Sequence, residues 1–128
     1  MNANDEAGKR ILCHCLATVS MADGDLDARE IATMLATVEQ VTGCQVSADE
    51  MVLAASTVTE EPAEFQANLT ATVPDMEDAF KLMILKTCIM IGRADTFMID
   101  TEKDHIYALG HTLGYNAEQI NEQFEIIT

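Results

Sequence analysis

Asp23, Asp25 and Asp27 place three carboxylates at alternate positions of one short stretch, and Glu30 follows three residues later. Hard divalent cations such as Ca2+ and Mg2+ take several oxygen ligands, and alternate positions of a turn can aim their oxygens at one centre. Without a counter-ion, each close pair of like charges costs about 1 kcal/mol even in a water-like dielectric, and a bound divalent ion removes that repulsion. The spacing is not that of an EF-hand. Counted from Asp23, the sixth position is Ala28 where glycine is needed, and the twelfth is Met34 where a bidentate glutamate is needed. The same residues also support a metal-free reading. Asp27 and Glu30 form a capping box, Asp23-Gly24 is ordinary turn chemistry, and acids in a first helical turn complement the helix dipole.

This stretch has an echo. Ala22-Asp23-Gly24-Asp25-Leu26-Asp27-Ala28-Arg29-Glu30 returns 72 residues later as Ala94-Asp95-Thr96-Phe97-Met98-Ile99-Asp100-Thr101-Glu102. Each copy puts a glutamate seven residues after the alanine-preceded aspartate. Each also follows a long apolar helical pattern and leads into an amphipathic one: Met34, Val38, Val41, then Gly43, and Ile106, Leu109, Leu113, then Gly114. A helix–acidic loop–helix unit therefore occurs twice, and two such units can pack with their loops at the same end.

Other reactive residues are less organised. Glu102-Lys103-Asp104-His105 is an ExxH, but a di-iron bundle needs two such pairs plus two further glutamates, and Thr33 stands at the repeat-equivalent of His105. Cys13-His14-Cys15 looks like a soft-metal trio, yet residues two apart on a helix point about 200° around its axis, so the two thiols do not easily share an ion. Cys15 falls on an apolar face with Leu12, Leu16 and Val19 and is expected in the core, with Cys13 and His14 on the flank; Cys88 is also expected to be buried. A zinc site would need Cys44 or His111 to converge on these residues. Nucleophile-elbow, phosphate-loop, dinucleotide and HExxH motifs are missing from the sequence. The eight methionines read as core filler.

The elements that must hold these residues are helices. Alanine, leucine, methionine and glutamate abound, against two prolines and six glycines. Ser47-Ala-Asp-Glu50 and Asn116-Ala-Glu-Gln119 are capping boxes, Pro62 and Pro74 suit first helical turns, and Gly43 and Gly114 suit stops. The pattern predicts seven helices at about 5–22, 27–42, 47–59, 61–72, 75–94, 100–113 and 116–127. The fifth, apolar on two sides over 82–92, is the expected centre of the bundle. The fold class is all-α, a single domain over 1–128 built on the two helix–acidic loop–helix repeats.

Composition limits the partners. Twenty-two acidic residues against seven Lys plus Arg give a net charge of −15, and ten acids but no base lie between Arg29 and Lys81. Such a surface repels phosphate backbones and anionic lipid, so nucleic acid is not an expected ligand, whereas cations and basic protein surfaces are. The longest apolar stretch, Leu82 to Gly92, is broken by Lys86 and too short to insert in a bilayer. The polar N-terminus lacks a secretory pattern, and the four cysteines read as reduced thiols, so the expected location is the cytoplasm.

The paired pattern, Met21-Ala22-Asp23-Gly24 through Glu30 and Ile91-Gly92-Arg93-Ala94-Asp95 through Glu102, resembles the tellurite-resistance TerB family of small, acidic, all-helical bacterial cytoplasmic proteins. The resemblance spans about 11–43 and 80–114. It implies a helical bundle without enzymatic activity. It also implies a divalent cation, Ca2+ favoured over Mg2+, at a shared acidic site, and a role in tellurite and chemical stress. That role would run through protein partners, including complexes peripheral to the inner membrane. By this resemblance Asp23, Glu30, Asp95 and Glu102 carry the metal, and local geometry adds Asp25 and Asp27. The second copy departs from the pattern at Thr96, where glycine is usual, and at Ile99, which falls where the first copy has Asp27, although Asp100 is adjacent. Three other readings compete: a metal-free interaction adaptor, a carboxylate-bridged metalloenzyme, and a thiol-based sensor with Cys13 or Cys44 exposed.

Overall fold

Two glycines and two side-chain caps punctuate the chain where the sequence places them. Gly43 and Gly114 adopt φ of 74° and 103°, the left-handed region in which a side chain would be strained, and each ends a helix. After Gly43, the Ser47 hydroxyl accepts from the Glu50 amide at 3.1 Å. After Gly114, the Asn116 side chain accepts from the Gln119 amide at 2.8 Å while Gln119 accepts from the Asn116 amide at 2.9 Å. Each box satisfies amides that the first helical turn otherwise leaves unpaired.

A computed structural model of the chain describes residues 5–20, 28–43, 45–93 and 100–127. Among them are seven α-helices and no strand: α1 (Glu6–Ser20), α2 (Ala28–Thr42), α3 (Ala48–Glu60), α4 (Pro62–Thr72), α5 (Asp78–Arg93), α6 (Asp100–Leu113) and α7 (Ala117–Ile127). Pro62 opens α4, where its missing N–H costs nothing. Pro74 does not open α5 as its position suggested. A 3-10 turn, Val73–Asp75, instead carries α4 onward, and Met76 turns extended with its side chain buried, so α5 starts three residues later than expected.

The duplication sets the architecture. α1 and α5 start 72 residues apart, as do α2 and α6, and α3 and α7 follow the two stop glycines in turn. The unit is thus three helices long, with α4 between the copies. Equivalent positions fill equivalent places: Leu12 and Ile84, Leu16 and Cys88, Met34 and Ile106 are all buried. Helix α5 packs against α1, α2, α6 and α7, and its Phe80, Ile84, Leu85, Thr87, Cys88 and Ile89 are buried on both sides. It is the expected central helix. Helix α1 packs against α3, α5 and α6, and one continuous apolar cluster draws residues from all seven helices. Among the described residues no helix is long and apolar enough to cross a membrane.

Candidate functional site

The six carboxylates singled out in the sequence fall at the α1–α2 and α5–α6 junctions. Asp23, Asp25, Asp27 and Asp95 lie outside the described residues. Glu30 sits half-buried in the first turn of α2, and Glu102 belongs to the first turn of α6. The capping box of Asp27 and the contrast between Thr96 or Ile99 and their counterparts also lie outside the described residues.

The helices that flank the junctions are well fixed. Ser20, the last residue of α1, donates to the Met34 sulfur at 3.1 Å, which ties the end of α1 to the turn of α2 just after Glu30. Cys15 and Cys88 are neighbours in the α1–α5 contact, and each lies five residues before the end of its helix. At 1.5 Å of rise per residue, each helix runs only ~7.5 Å past that contact. With helix axes 8–10 Å apart, the two ends lie no more than ~20 Å from each other at any crossing angle. The two acidic junctions therefore start from one neighbourhood of the bundle.

The cysteines have no such arrangement. Cys13, expected on the flank, is buried like Cys15 and Cys88. Helix α3 covers the side of α1 that α5 leaves open, so α1 buries two faces rather than one. Burial pushes the Cys13 thiol up to about 11, with the Glu50 charge adding to the effect, and burial raises Cys15 and Cys88 further. Cys44 lies outside the described residues, and among these no three His, Cys, Asp or Glu gather where they could hold a metal ion. At pH 8 only about one Cys13 in a thousand is thiolate, the nucleophilic form. Iodoacetamide is thus expected to leave Cys13, Cys15 and Cys88 unmodified in the folded protein and to label them in denaturant. Rapid labelling of Cys13 in the native state would contradict this burial.

His105 is half-buried on α6 and His111 exposed near its end. His14 lies half-buried on α1, its ring edge-on to Phe65 of α4 with centroids 5.4 Å apart. Burial, aided by the Arg10 charge, lowers its pKa. Of the methionines, Met34, Met51 and Met76 are core residues. Basic side chains are scarce, and Lys9 pairs with Glu50 and Lys81 with Asp78, each at 3.7 Å. Ten acids and no base lie between Arg29 and Lys81, seven of them on α2, α3 and the start of α4.

The sequence profile of the family described as "Tellurite resistance protein TerB" matches residues 9–123. No curated protein and no solved structure matches the chain. The match covers α2 to α6 whole, most of α1 and the first part of α7, so both acidic junctions fall inside it.

Proposed function

The chain belongs to the TerB family of tellurite-resistance proteins, and from that premise we propose that it is a non-enzymatic acidic module that binds a divalent cation and protein partners in the bacterial response to tellurite and related chemical stress. The cation, Ca2+ in preference to Mg2+, is held by Asp23 and Glu30 of one copy with Asp95 and Glu102 of the other, and Asp25 and Asp27 contribute further oxygens. Supporting this reading is the exact register of the two copies. Two helical units 72 residues apart end their first helices close together, and each junction begins with the same Ala-Asp step and leads to a glutamate in the next helix. A cation shared by the two junctions cross-links the halves of the molecule, which stabilises the folded state by mass action. It also sets the relative position of α2 and α6 at the acidic end, where a basic partner surface can dock. Such a partner is the route by which the module reaches a complex at the inner membrane from the cytoplasm.

Replacing Asp23 and Asp95 together with asparagine keeps shape and hydrogen bonding but removes two charges. The double variant is expected to melt near the parent in chelator and to lose the rise in melting temperature that Ca2+ gives the parent. A variant that responds to Ca2+ as fully as the parent overturns the assignment. The metal-free adaptor is then the better reading, with Asp27 and Glu30 serving only as a cap.

A further inference from the structure

Helices α1, α3 and α4 line a half-open cavity of about 260 Å3 that takes no part in the acidic junctions. Its apolar floor is made by Ile11 of α1 with Phe65 and Leu69 of α4, and the His14 ring stands edge-on to Phe65. The two charged flanks have opposite signs. Arg10, one turn before His14, supplies a guanidinium, and Glu61 and Glu64 at the start of α4 supply two carboxyl groups. Among the described residues Arg10 forms no ion pair, with these glutamates or any other acid, whereas its neighbour Lys9 is already engaged by Glu50. Glu61 and Glu64 press on each other instead. The Glu61 pKa is raised first by a hydrogen bond with Glu64 and then by that residue's charge. The pocket thus holds a cation with no ion-pair partner among the described residues, a crowded pair of acids and an apolar floor.

We propose that this cavity binds a small zwitterion with an apolar body, the chemistry of a hydrophobic α-amino acid, its carboxylate on Arg10, its ammonium on Glu61 and Glu64, and its side chain over Ile11, Phe65 and Leu69. Ligands with one charge fit less well. An anion satisfies Arg10 but adds to the crowding of the glutamates, and an amine relieves the glutamates but leaves Arg10 without a partner. A neutral apolar molecule strips water from all three charges and returns nothing. The volume sits just below the ~300–1,000 Å3 of pockets for drug-sized ligands, which admits a single small molecule and not a peptide. His14, kept neutral beside Arg10, keeps one ring nitrogen as donor and the other as acceptor for the ligand's polar end.

The test uses the full chain with carbon-13-labelled isoleucine and leucine methyl groups and three probes: L-phenylalanine, 3-phenylpropionate and 2-phenylethylamine. L-Phenylalanine is expected to shift the Ile11 and Leu69 methyl signals saturably, with each single-charge probe at least about tenfold weaker, a loss of ~1.4 kcal/mol. Arg10→Gln, and Glu61→Gln with Glu64→Gln, replace exposed side chains and are each expected to weaken L-phenylalanine about tenfold while the methyl spectrum stays that of a folded protein. Arg10→Gln should bring L-phenylalanine down to the affinity of 2-phenylethylamine. The proposal is overturned if L-phenylalanine leaves Ile11 and Leu69 unshifted to ~10 mM, well above a millimolar Kd, if 3-phenylpropionate binds as tightly as L-phenylalanine, or if Arg10→Gln binds unchanged.

Discussion

Gly110→Ala is expected to destabilise the protein, although alanine in the interior of a helix ordinarily gains about 0.5–1 kcal/mol over glycine. Gly110 lies within α6 against Ile120 of α7. A Cβ there meets Ile120 Cδ1 at 2.5 Å and Cγ1 at 2.9 Å, with Leu85 Cδ1 at 3.5 Å behind. Ile120 and Leu85 are both fully buried, so Ile120 has no solvent side to turn towards and α7 must shift or strain. Overpacking of this kind costs about 1–3 kcal/mol, which outweighs the helix-propensity gain. For a chain of this size each kcal/mol moves the melting temperature by roughly 3–6 °C, so a fall of several degrees is expected in a thermal melt. Ile120→Val removes the atom that clashes first, so in the Gly110→Ala background it should cost less than it does alone. A coupling of ~0.5–3 kcal/mol in the double-mutant cycle identifies the contact. A rise in melting temperature for Gly110→Ala would mean that α6 and α7 are further apart than described.

The largest loss is expected at the centre of the bundle. Ile84 on α5 is fully buried among the helices that α5 gathers, and Ile84→Ala should cost about 2–5 kcal/mol in denaturant unfolding. That is a large fraction of the ~5–15 kcal/mol that keeps a domain folded, so the variant is expected to melt at least about 6 °C lower. Leu53→Ala makes the control. Leu53 on α3 is 68% exposed, so removing its side chain should change stability by no more than ~0.5 kcal/mol. Similar costs at the two positions would contradict the central place given to α5.

The helices were legible because their signals are local. Ser47 with Glu50, Asn116 with Gln119, Pro62, Gly43 and Gly114 each act within one turn, and the structure uses all of them. Tertiary contacts decided the exceptions. Pro74 is as compatible with a 3-10 turn as with a first helical turn, and burial of Met76 selected the turn. The sequence puts Cys13 on a flank because a helical pattern reveals only the broadest apolar stripe, not the second face of α1 that α3 covers. The duplication was visible as two helices per unit. Its third helix was hidden because the second copy is three residues shorter between the acidic motif and the capping box, from Asp23 to Ser47 against Asp95 to Asn116.

The candidate sites divide in the same way. The acidic junctions could be read because their carboxylates are close in sequence and the motif occurs twice. The α1–α3–α4 cavity could not, since its charges come from segments some 50 residues apart that only the folded chain brings together. The sole local hint was Arg10 with His14, one turn apart, followed much later by Glu61 with Glu64, also one turn apart.

The measurement that bears most directly on the proposed cation site is the melting temperature of chelator-stripped protein titrated with Ca2+, Mg2+ and Zn2+ at fixed ionic strength. A specific oxygen-ligand site predicts a saturable rise with Ca2+ well beyond that with Mg2+, reaching ~2.7 kcal/mol of added stability at a hundredfold excess over Kd. Equal small rises with Ca2+ and Mg2+, the signature of generic screening of a −15 surface, would contradict it, as would a response to Zn2+ alone.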